Sequence, residues 1–264
     1  MSGPDGGDNP IIVALDHSQA GEALKLVESL APEFDFFKVG STLFVSAGPA
    51  IVRSLRAAGA RVFLDLKFHD IPEQVAGAVE AACDMGAAML TVHCLGGKQM
   101  LEAAARSASS AGGERPAVIG VTVLTSHGED LNEIGVTSNA KTEVLRLAGL
   151  ALDAGLDGVV ASAGEATLLR ENLGNDFLIV TPGIRLSGGE SADQKRVATP
   201  RGAVAAGADF LVVGRPIRNA ADPREAAMEI LREARREALR HGPVLDSALR
   251  LHRVESKGLR SNGK

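Results

Sequence analysis

The chain has 264 residues, enough for one large domain or two small ones. Its net charge of −5 and its lack of Trp and Tyr argue against nucleic-acid binding, which uses basic surfaces and aromatic stacking. No apolar run approaches the length of a membrane span and no signal-like N-terminal segment is present, so a cytoplasmic location is the default expectation.

The two ends of the chain differ in composition from its middle. Residues 1–9 are polar and rich in Gly and Pro, which predicts a flexible leader. Residues 241–264 are polar and mildly basic and form a terminal extension whose order the sequence does not determine. Cys83 and Cys94 form no CxxC pair, and both are expected to be buried small apolar residues.

Eight apolar runs rich in Val, Ile and Leu follow one another between the two ends. Continuous runs of this kind are typical of strands buried on both faces of a parallel sheet. The predicted strands are 10–16, 34–40, 60–67, 87–94, 116–126, 157–162, 177–183 and 209–217.

The segments between these runs carry Ala, Leu, Glu and Arg at helical spacing. Residues 71–85 begin with Pro near the first turn, and residues 222–240 begin with Asp222 as the predicted N-cap. Gly59, Gly86 and Gly207 stand where helices are expected to end and strands to follow.

Alternating β and α units over residues 10–240 predict a single (β/α)8 TIM barrel that forms the catalytic domain. A doubly wound sheet is the main alternative. It is disfavoured because the chain has neither a GxGxxG motif between a strand and a helix nor a GxxxxGK[ST] motif.

The third run, ARVFLDLKFHDIP at 60–72, carries the most informative charges. Strand side chains alternate between faces, so Asp65 and Lys67 are predicted to point the same way, with Asp70 following where a helix begins. Two carboxylates near one ammonium favour its charged form. Out of bulk water, such an ammonium stabilises negative charge that develops beside it. Solvated charges at a strand end are the plain alternative.

Polar residues also follow the other predicted strands. Active sites of barrels of this kind gather at the C-terminal ends of the strands, so these residues together predict a pocket there. They are Asp16, Lys38, Asp65, Lys67, Thr125, Ser126, Arg185, Gly214 and Arg215. Asp16 and Lys38 suit hydrogen bonding to sugar hydroxyls, and a structural salt bridge between them is compatible with that role.

Two features indicate a phosphate site. Gly214 and Arg215 follow the eighth strand, where such barrels often bind phosphate. The long polar segment 184–196 contains Gly188-Gly189 and resembles a lid, with Arg185 and Gln194 placed to clamp an oxyanion. A disordered surface loop is the alternative. The histidines show no HExxH-type spacing, so no metal site is predicted, and His93 is expected to pack within the fourth strand.

Seven short motifs, in this order, resemble the orotidine 5′-phosphate decarboxylase family over roughly residues 10–240. They are VALD, FKVG, FLDLKFHDIP, TVLTS, TPGIR, DQKR and VVGRPI. The resemblance implies a homodimeric barrel that converts orotidine 5′-phosphate to UMP and CO2 without a cofactor, in the last step of de novo pyrimidine nucleotide synthesis.

The same resemblance implies roles for single residues. Lys67 would stabilise and protonate a carbanion at C6, within a set of Lys38, Asp65, Lys67 and Asp70 that is complete only in the dimer, because Asp70 reaches the partner's site. The implied substrate-binding residues are Asp16, Lys38, Thr125, Ser126, Arg185, Gln194, Gly214, Arg215, Ile71 and Gln74. The family usually has Thr where this chain has Gln74, which puts the hydrogen bonds near the ribose in doubt.

Three alternatives stay open at this point. A sibling 3-keto-gulonate-phosphate decarboxylase or hexulose-phosphate synthase would use Mg2+ and carry a carboxylate in place of Lys38, and an ammonium cannot ligate Mg2+. A Schiff-base aldolase would need Lys67 as a neutral amine, which flanking carboxylates oppose. A barrel that only binds UMP is the non-enzymatic alternative.

Overall fold

A computed structural model describes residues 9–186 and 198–241. The predicted leader, apart from Asn9, and the predicted C-terminal extension, apart from His241, lie outside these residues. So do Gln194 and most of the predicted lid. The domain boundaries therefore stay predictions.

Eight parallel strands close into one barrel in sequence order, and the first pairs with the last. This closure confirms the predicted (β/α)8 barrel and excludes the doubly wound sheet, whose edges stay open. The strands are β1 Ile11–Ala14, β2 Phe36–Gly40, β3 Arg61–Phe68, β4 Met89–His93, β5 Ala117–Val121, β6 Gly158–Val160, β7 Leu178–Thr181 and β8 Phe210–Val213.

Helices follow the strands and cover the outside of the barrel. In the described part of the chain they are α1 Ala20–Leu30, α2 Ser41–Ala47, α3 Ala50–Ala57, α4 Pro72–Asp84, α5 Gly97–Ser109, α6 Ala140–Asp153, α7 Ala163–Leu173, α8 Pro200–Ala205, α9 Arg215–Arg218 and α10 Pro223–His241. Short 3-10 turns lie at Cys94–Gly96 and Asn132–Ile134. Within these residues no helix combines the length and the apolar character that a membrane crossing demands.

The helix boundaries follow the predicted capping signals. Asp222 Oδ1 accepts the N–H groups of Arg224 and Glu225, at 2.9 and 3.0 Å, and so caps α10. Gly59 and Gly207 adopt φ of +82° and +101°, a conformation that glycine enters at little cost, and each leads from a helix into a strand. These predictions are confirmed.

Most strands are shorter than predicted. The apolar run 116–126 pairs only as far as Val121, and 209–217 only as far as Val213, after which Arg215–Arg218 forms the short helix α9. Several residues beyond these points line the cavity instead, and Thr122, Val123 and Ile217 stay buried outside the strands. The strands predicted from apolar runs were therefore too long, because apolar residues also occur in the segments that follow a strand.

Alternation along the strands divides the core into two parts. Outward residues such as Val13 and Leu64 pack against the helices, and inward residues fill the barrel. Phe36 and Phe210 meet edge to face at 5.7 Å near the strand starts, so the lower barrel is filled and the upper end can open as a pocket.

The two cysteines take different positions. Cys94 is fully buried, as predicted, whereas Cys83 is half-buried because it lies near the end of α4. Burial raises the thiol pKa of Cys83 to about 11 and that of Cys94 to about 12. Both are therefore protonated and unreactive at neutral pH.

Candidate active site

Four charged side chains, from the loop after β1 and from β2 and β3, form a row at the upper end of the barrel. Lys38 Nζ donates to Asp16 Oδ1 at 2.9 Å and lies 3.6 Å from Asp65 Oδ2. Lys67 Nζ donates to Asp65 Oδ1 at 2.8 Å. Charges thus alternate along this row, which we call the charged row: Asp16, Lys38, Asp65, Lys67.

The middle of the charged row is buried and its ends are open. The side chains of Lys38 and Asp65 are 11% and 14% exposed, whereas those of Lys67 and Asp16 are 40% and 49% exposed. Burial alone would raise the pKa of Asp65. The charges of Lys38 and Lys67, with hydrogen bonds from Lys67 and Thr91, outweigh it and hold that pKa below its usual range. Asp65 is therefore a carboxylate that fixes an accessible ammonium.

Lys67 reaches this position through an irregular backbone. β3 pairs with β4 at Leu64↔Leu90 and next at Phe68↔Val92, so the register shifts in between. Lys67 has φ of +53°, the sole positive φ among the non-glycine residues that the structure describes. Asp65 and Lys67 point the same way, as predicted, since their side chains are hydrogen-bonded. The register shift and the positive φ of Lys67 produce this arrangement, and regular strand alternation does not. A residue held in this conformation carries strain of about 1–3 kcal/mol, which surrounding contacts must offset.

Two glycines leave room for the charged row. A Cβ at Gly40 would lie 2.9 Å from Lys38 Nζ, and one at Gly214 would lie 3.3 Å from Asp16 Oδ2. Any larger residue at Gly40 would therefore displace the Lys38 ammonium. The motif FKVG joins the lysine to the glycine that accommodates it.

A cavity of about 270 Å³ opens beside the charged row. Of the predicted site residues, it is lined by Asp16, Lys38, Asp65, Lys67, Thr125, Arg185, Gly214 and Arg215. Its apolar lining comes mainly from Ala14, Phe63, Val121, Val123, Leu124, Val160, Val180, Pro182 and Val212. The cavity therefore offers a charged wall, an apolar wall and two arginines to one ligand.

The base of the predicted lid is closed by backbone pairing. Arg185 N–H donates to Ala198 O at 2.9 Å, and Ala198 N–H donates to Gly183 O at 3.2 Å. Gly183 and Arg185, which line the cavity, are thus paired with Ala198, the first described residue after the gap. Gly188, Gly189 and Gln194 lie outside the described residues, so the clamp stays a prediction.

Four predicted site residues do not line the cavity of their own chain. Ser126 is exposed beside Thr125, and Asp70, Ile71 and Gln74 are exposed at the start of α4. Asp70 accepts the Ile71 N–H at 2.7 Å, and Ile71 is 62% exposed. Within one chain, Asp65 is the carboxylate that contacts Lys67, and the roles of these four residues stay predictions.

Thr91 on β4 is a contact of the site that the sequence analysis missed. Its hydroxyl accepts the Lys67 N–H at 2.9 Å and lies 3.1 Å from Asp65 Oδ1. Strand alternation could have indicated it, since Thr91 shares the inward face with Met89. A lone Thr in an apolar run gave no stronger signal.

His93 packs next to this region, at the end of β4. Its ring stacks on His69 with centroids 5.3 Å apart. Burial, and then the charges of His69 and Lys67, lower the pKa of His93 to about 4, so it is neutral at pH 7. Among the described residues no cluster of three or more His, Cys, Asp or Glu side chains could hold a metal ion.

Comparisons with known proteins agree on one family. Residues 9–230 match the model of the "Orotidine 5'-phosphate decarboxylase / HUMPS family". The chain is 50% identical over 224 residues to the orotidine 5′-phosphate decarboxylase of Vibrio cholerae O395, covering 84% of this chain and 97% of that one. It is 51% identical over 223 residues to the enzyme of the same name from Chromobacterium violaceum, covering 84% and 90%.

Solved structures give the same result. The crystal structure of orotidine 5′-phosphate decarboxylase from Lactobacillus acidophilus superposes with a TM-score of 0.77 at 40% identity, covering 86% of this chain and 99% of that one. An uncharacterized conserved protein from Geobacillus kaustophilus gives a TM-score of 0.75 at 38% identity, covering 85% and 100%.

Proposed function

The chain belongs to the orotidine 5′-phosphate decarboxylase / HUMPS family, and we propose that it decarboxylates orotidine 5′-phosphate to UMP and CO2 in pyrimidine biosynthesis. One observation carries the proposal: the Lys67 ammonium, hydrogen-bonded to Asp65, stands at the wall of a cavity that also holds two arginines. We also propose that the enzyme works in the cytoplasm and without a cofactor.

The reaction breaks the bond between C6 and the carboxylate. Its electron pair stays on C6 as a carbanion with no electron sink in the ring, so stabilisation must come from the protein. Lys67 provides a positive charge beside C6 and then transfers a proton from Nζ to that carbon. The neutral amine takes a proton from solvent before the next turnover, so atoms and charge balance.

Asp65 keeps Lys67 charged and in place. The substrate carboxylate is assigned to a place beside Asp65, where like-charge repulsion would favour departure of CO2. Lys38, bound to both Asp16 and Asp65, neutralises the inner carboxylate. Asp16, whose side chain is about half-exposed, and Lys38, which lines the cavity and has three N–H donors, are assigned to the ribose hydroxyls.

The phosphate is assigned to the arginine side of the cavity. Arg185, Arg215 and the backbone of Gly214 line it there, and Gln194 is proposed to join them from the lid. Arginine suits this role because its planar guanidinium binds phosphate through two parallel hydrogen bonds. The phosphate lies far from the reacting carbon, but its binding energy, together with closure of the lid, would lower the free energy of the transition state.

The pyrimidine ring is assigned to the apolar wall. Val123, Leu124 and Thr125 follow β5 and line the same cavity as the charged row, with Ser126 next along the chain. Thr125 and Ser126 would hydrogen-bond the ring's polar edge while the aliphatic side chains exclude water.

We further propose a homodimer in which Asp70, Ile71 and Gln74 enter the partner's site. Their exposure at the start of α4 leaves them available for this role. Asp70 would then add a second carboxylate beside the partner's Lys67.

Mixing two inactive variants tests the shared site. Asp65→Ala chains mixed with Asp70→Ala chains should recover up to about a quarter of wild-type activity, since half of randomly formed dimers are hybrids and each has one intact site. Turnover is measured before and after subunit exchange. The unmixed variants, taken through the same exchange, are the controls. Activity that stays at their level would refute the contribution of Asp70 to a partner's site.

Metal removal separates this function from that of Mg2+-dependent siblings. Lys38 lies between Asp16 and Asp65, at the position where the siblings carry a carboxylate. An ammonium cannot ligate Mg2+, which prefers oxygen ligands. Turnover should therefore be the same in excess EDTA as without it. Loss of activity in EDTA that Mg2+ restores would favour a sibling reaction.

The function itself is tested by the absorbance change that follows mixing of the protein with orotidine 5′-phosphate. Steady conversion to UMP supports the proposal. Binding of UMP with no conversion would indicate a nucleotide-binding module. Borohydride trapping of Lys67 with a carbonyl substrate would indicate a Schiff-base enzyme, which the Asp65–Lys67 ion pair disfavours.

A further inference from the structure

We propose that Thr91 is a positioning residue for the decarboxylation, holding the Lys67 backbone and the Asp65 carboxylate in their working geometry through one hydroxyl. The inference rests on the proposed function, since it assigns Thr91 a part in that reaction. Thr91 does not line the cavity, so it acts through its two neighbours and not on the substrate.

Strands β3 and β4 do not match residue for residue near Thr91. Leu64 pairs with Leu90 and Phe68 pairs with Val92, so residues 65–67 of β3 lie opposite Thr91 alone. A regular parallel ladder matches residues one to one. The extra residues of β3 need hydrogen-bond partners that the β4 backbone does not supply, because an unpaired buried N–H is costly.

The Thr91 side chain supplies the missing partner. Its Oγ1 accepts the Lys67 N–H at 2.9 Å, in place of a backbone carbonyl. A backbone N–H can only donate, so this contact uses a lone pair of the hydroxyl and leaves its proton free. That proton is directed to Asp65 Oδ1, 3.1 Å away.

The same Asp65 oxygen also accepts Lys67 Nζ, at 2.8 Å. A closed ring of contacts results: Thr91 holds the Lys67 backbone, Thr91 holds Asp65, and Asp65 holds the Lys67 ammonium. Thr91 is fully buried, so water cannot readily replace its hydroxyl. The ring links the position of the ammonium to the position of its own backbone.

The strained backbone of Lys67 makes this support necessary. A φ of +53° in a side-chain-bearing residue persists where surrounding contacts determine it. Without the Thr91 contact, Lys67 can relax towards ordinary strand geometry, which would move its ammonium away from Asp65. A displacement of this size at a reacting group is expected to cost rate more than substrate affinity.

The test compares Thr91→Val, which keeps the shape and loses the hydroxyl, with Thr91→Ser, which keeps the hydroxyl. Thr91→Val should lower kcat by about 10- to 100-fold with KM nearly unchanged, because the arginine side of the cavity is untouched. Thr91→Ser should stay within a few-fold of wild type.

Thr181→Val is the matched control. Thr181 is also fully buried, on the outward face of β7, and its Oγ1 has no partner among the described residues. It should leave kcat unchanged.

A second readout does not depend on turnover. The Thr91 hydrogen bond helps to hold the pKa of Asp65 down, so Thr91→Val should raise that pKa, measured by carboxyl NMR titration. Thr91→Ala replaces the Val variant if the latter does not fold. Unchanged kcat in the hydroxyl-free variant, or an equal loss in Thr91→Ser, would overturn the catalytic half of the proposal. If the wild-type protein itself does not decarboxylate orotidine 5′-phosphate, the proposed function is wrong. An unchanged Asp65 pKa in Thr91→Val would separately refute the proposed hydrogen bond from Thr91 to Asp65.

Discussion

Replacing Lys67 with Ala is expected to lower kcat by at least about 10⁴-fold, because proton transfer and charge stabilisation are lost together. Both lysines of the charged row line the cavity, and Lys67 is the more exposed, at 40% against 11% for Lys38. A water molecule admitted into the vacated space could supply a proton but not the fixed positive charge. The measurement is single-turnover decarboxylation of orotidine 5′-phosphate.

The controls for this experiment separate chemistry from binding. UMP affinity should stay within a few-fold of wild type, since the arginine side of the cavity is unchanged. Lys98→Ala removes an exposed lysine of α5 that pairs with Glu102 and should have no effect. A Lys67→Ala enzyme that retained kcat within about tenfold of wild type would show that another group performs both steps.

Replacing Arg215 with Ala is expected to raise KM by about 100-fold or more, because a bidentate charged contact to the phosphate is lost. Arg215 begins α9 directly after Gly214, at the edge of the cavity. If phosphate binding energy is used to close the lid over the site, kcat will fall as well. The measurement is the full dependence of rate on substrate concentration.

The matching control uses a truncated substrate. With orotidine, which lacks the phosphate, Arg215→Ala should react at the wild-type rate, since the contact it removes is not made. Arg224→Ala, which removes a surface arginine paired with Glu33, should leave both substrates unaffected. An unchanged KM for orotidine 5′-phosphate in Arg215→Ala would place the phosphate elsewhere.

The fold could be predicted because the spacing of the apolar runs and the signals for helix ends indicated the same architecture. Apolar runs at regular spacing indicated eight strands, and Gly59, Gly207 and Asp222 marked helix ends through simple backbone chemistry. Strand ends were less predictable. The predicted run 116–126 extends past Val121, where β5 ends, because Val123 is apolar and buried as a strand residue would be.

The site was predictable in its charges and not in its backbone. Asp16, Lys38 and Asp65 come together because parallel strands deliver their C-terminal ends to one side of a barrel. The positive φ of Lys67 and the hydrogen bond from its N–H to the Thr91 hydroxyl could not be predicted, since both depend on a register shift between two strands. Local propensity carries no information about such a shift.

The proposed contribution of a second chain to the site has no counterpart in the geometry of one chain. Asp70, Ile71 and Gln74 were named from resemblance, and one chain places them on its surface. Whether a second carboxylate reaches Lys67 is decided by assembly. The subunit-exchange experiment addresses that point directly.

The central claim is that the Lys67 ammonium meets the electron pair left at C6, and a crystal structure of the protein with bound UMP tests it most directly. The account predicts Lys67 Nζ at roughly 3 Å from C6, within reach for proton transfer, with Asp65 still bound to it. An ammonium turned away from the pyrimidine ring, with a different donor or a water at C6, would contradict the account.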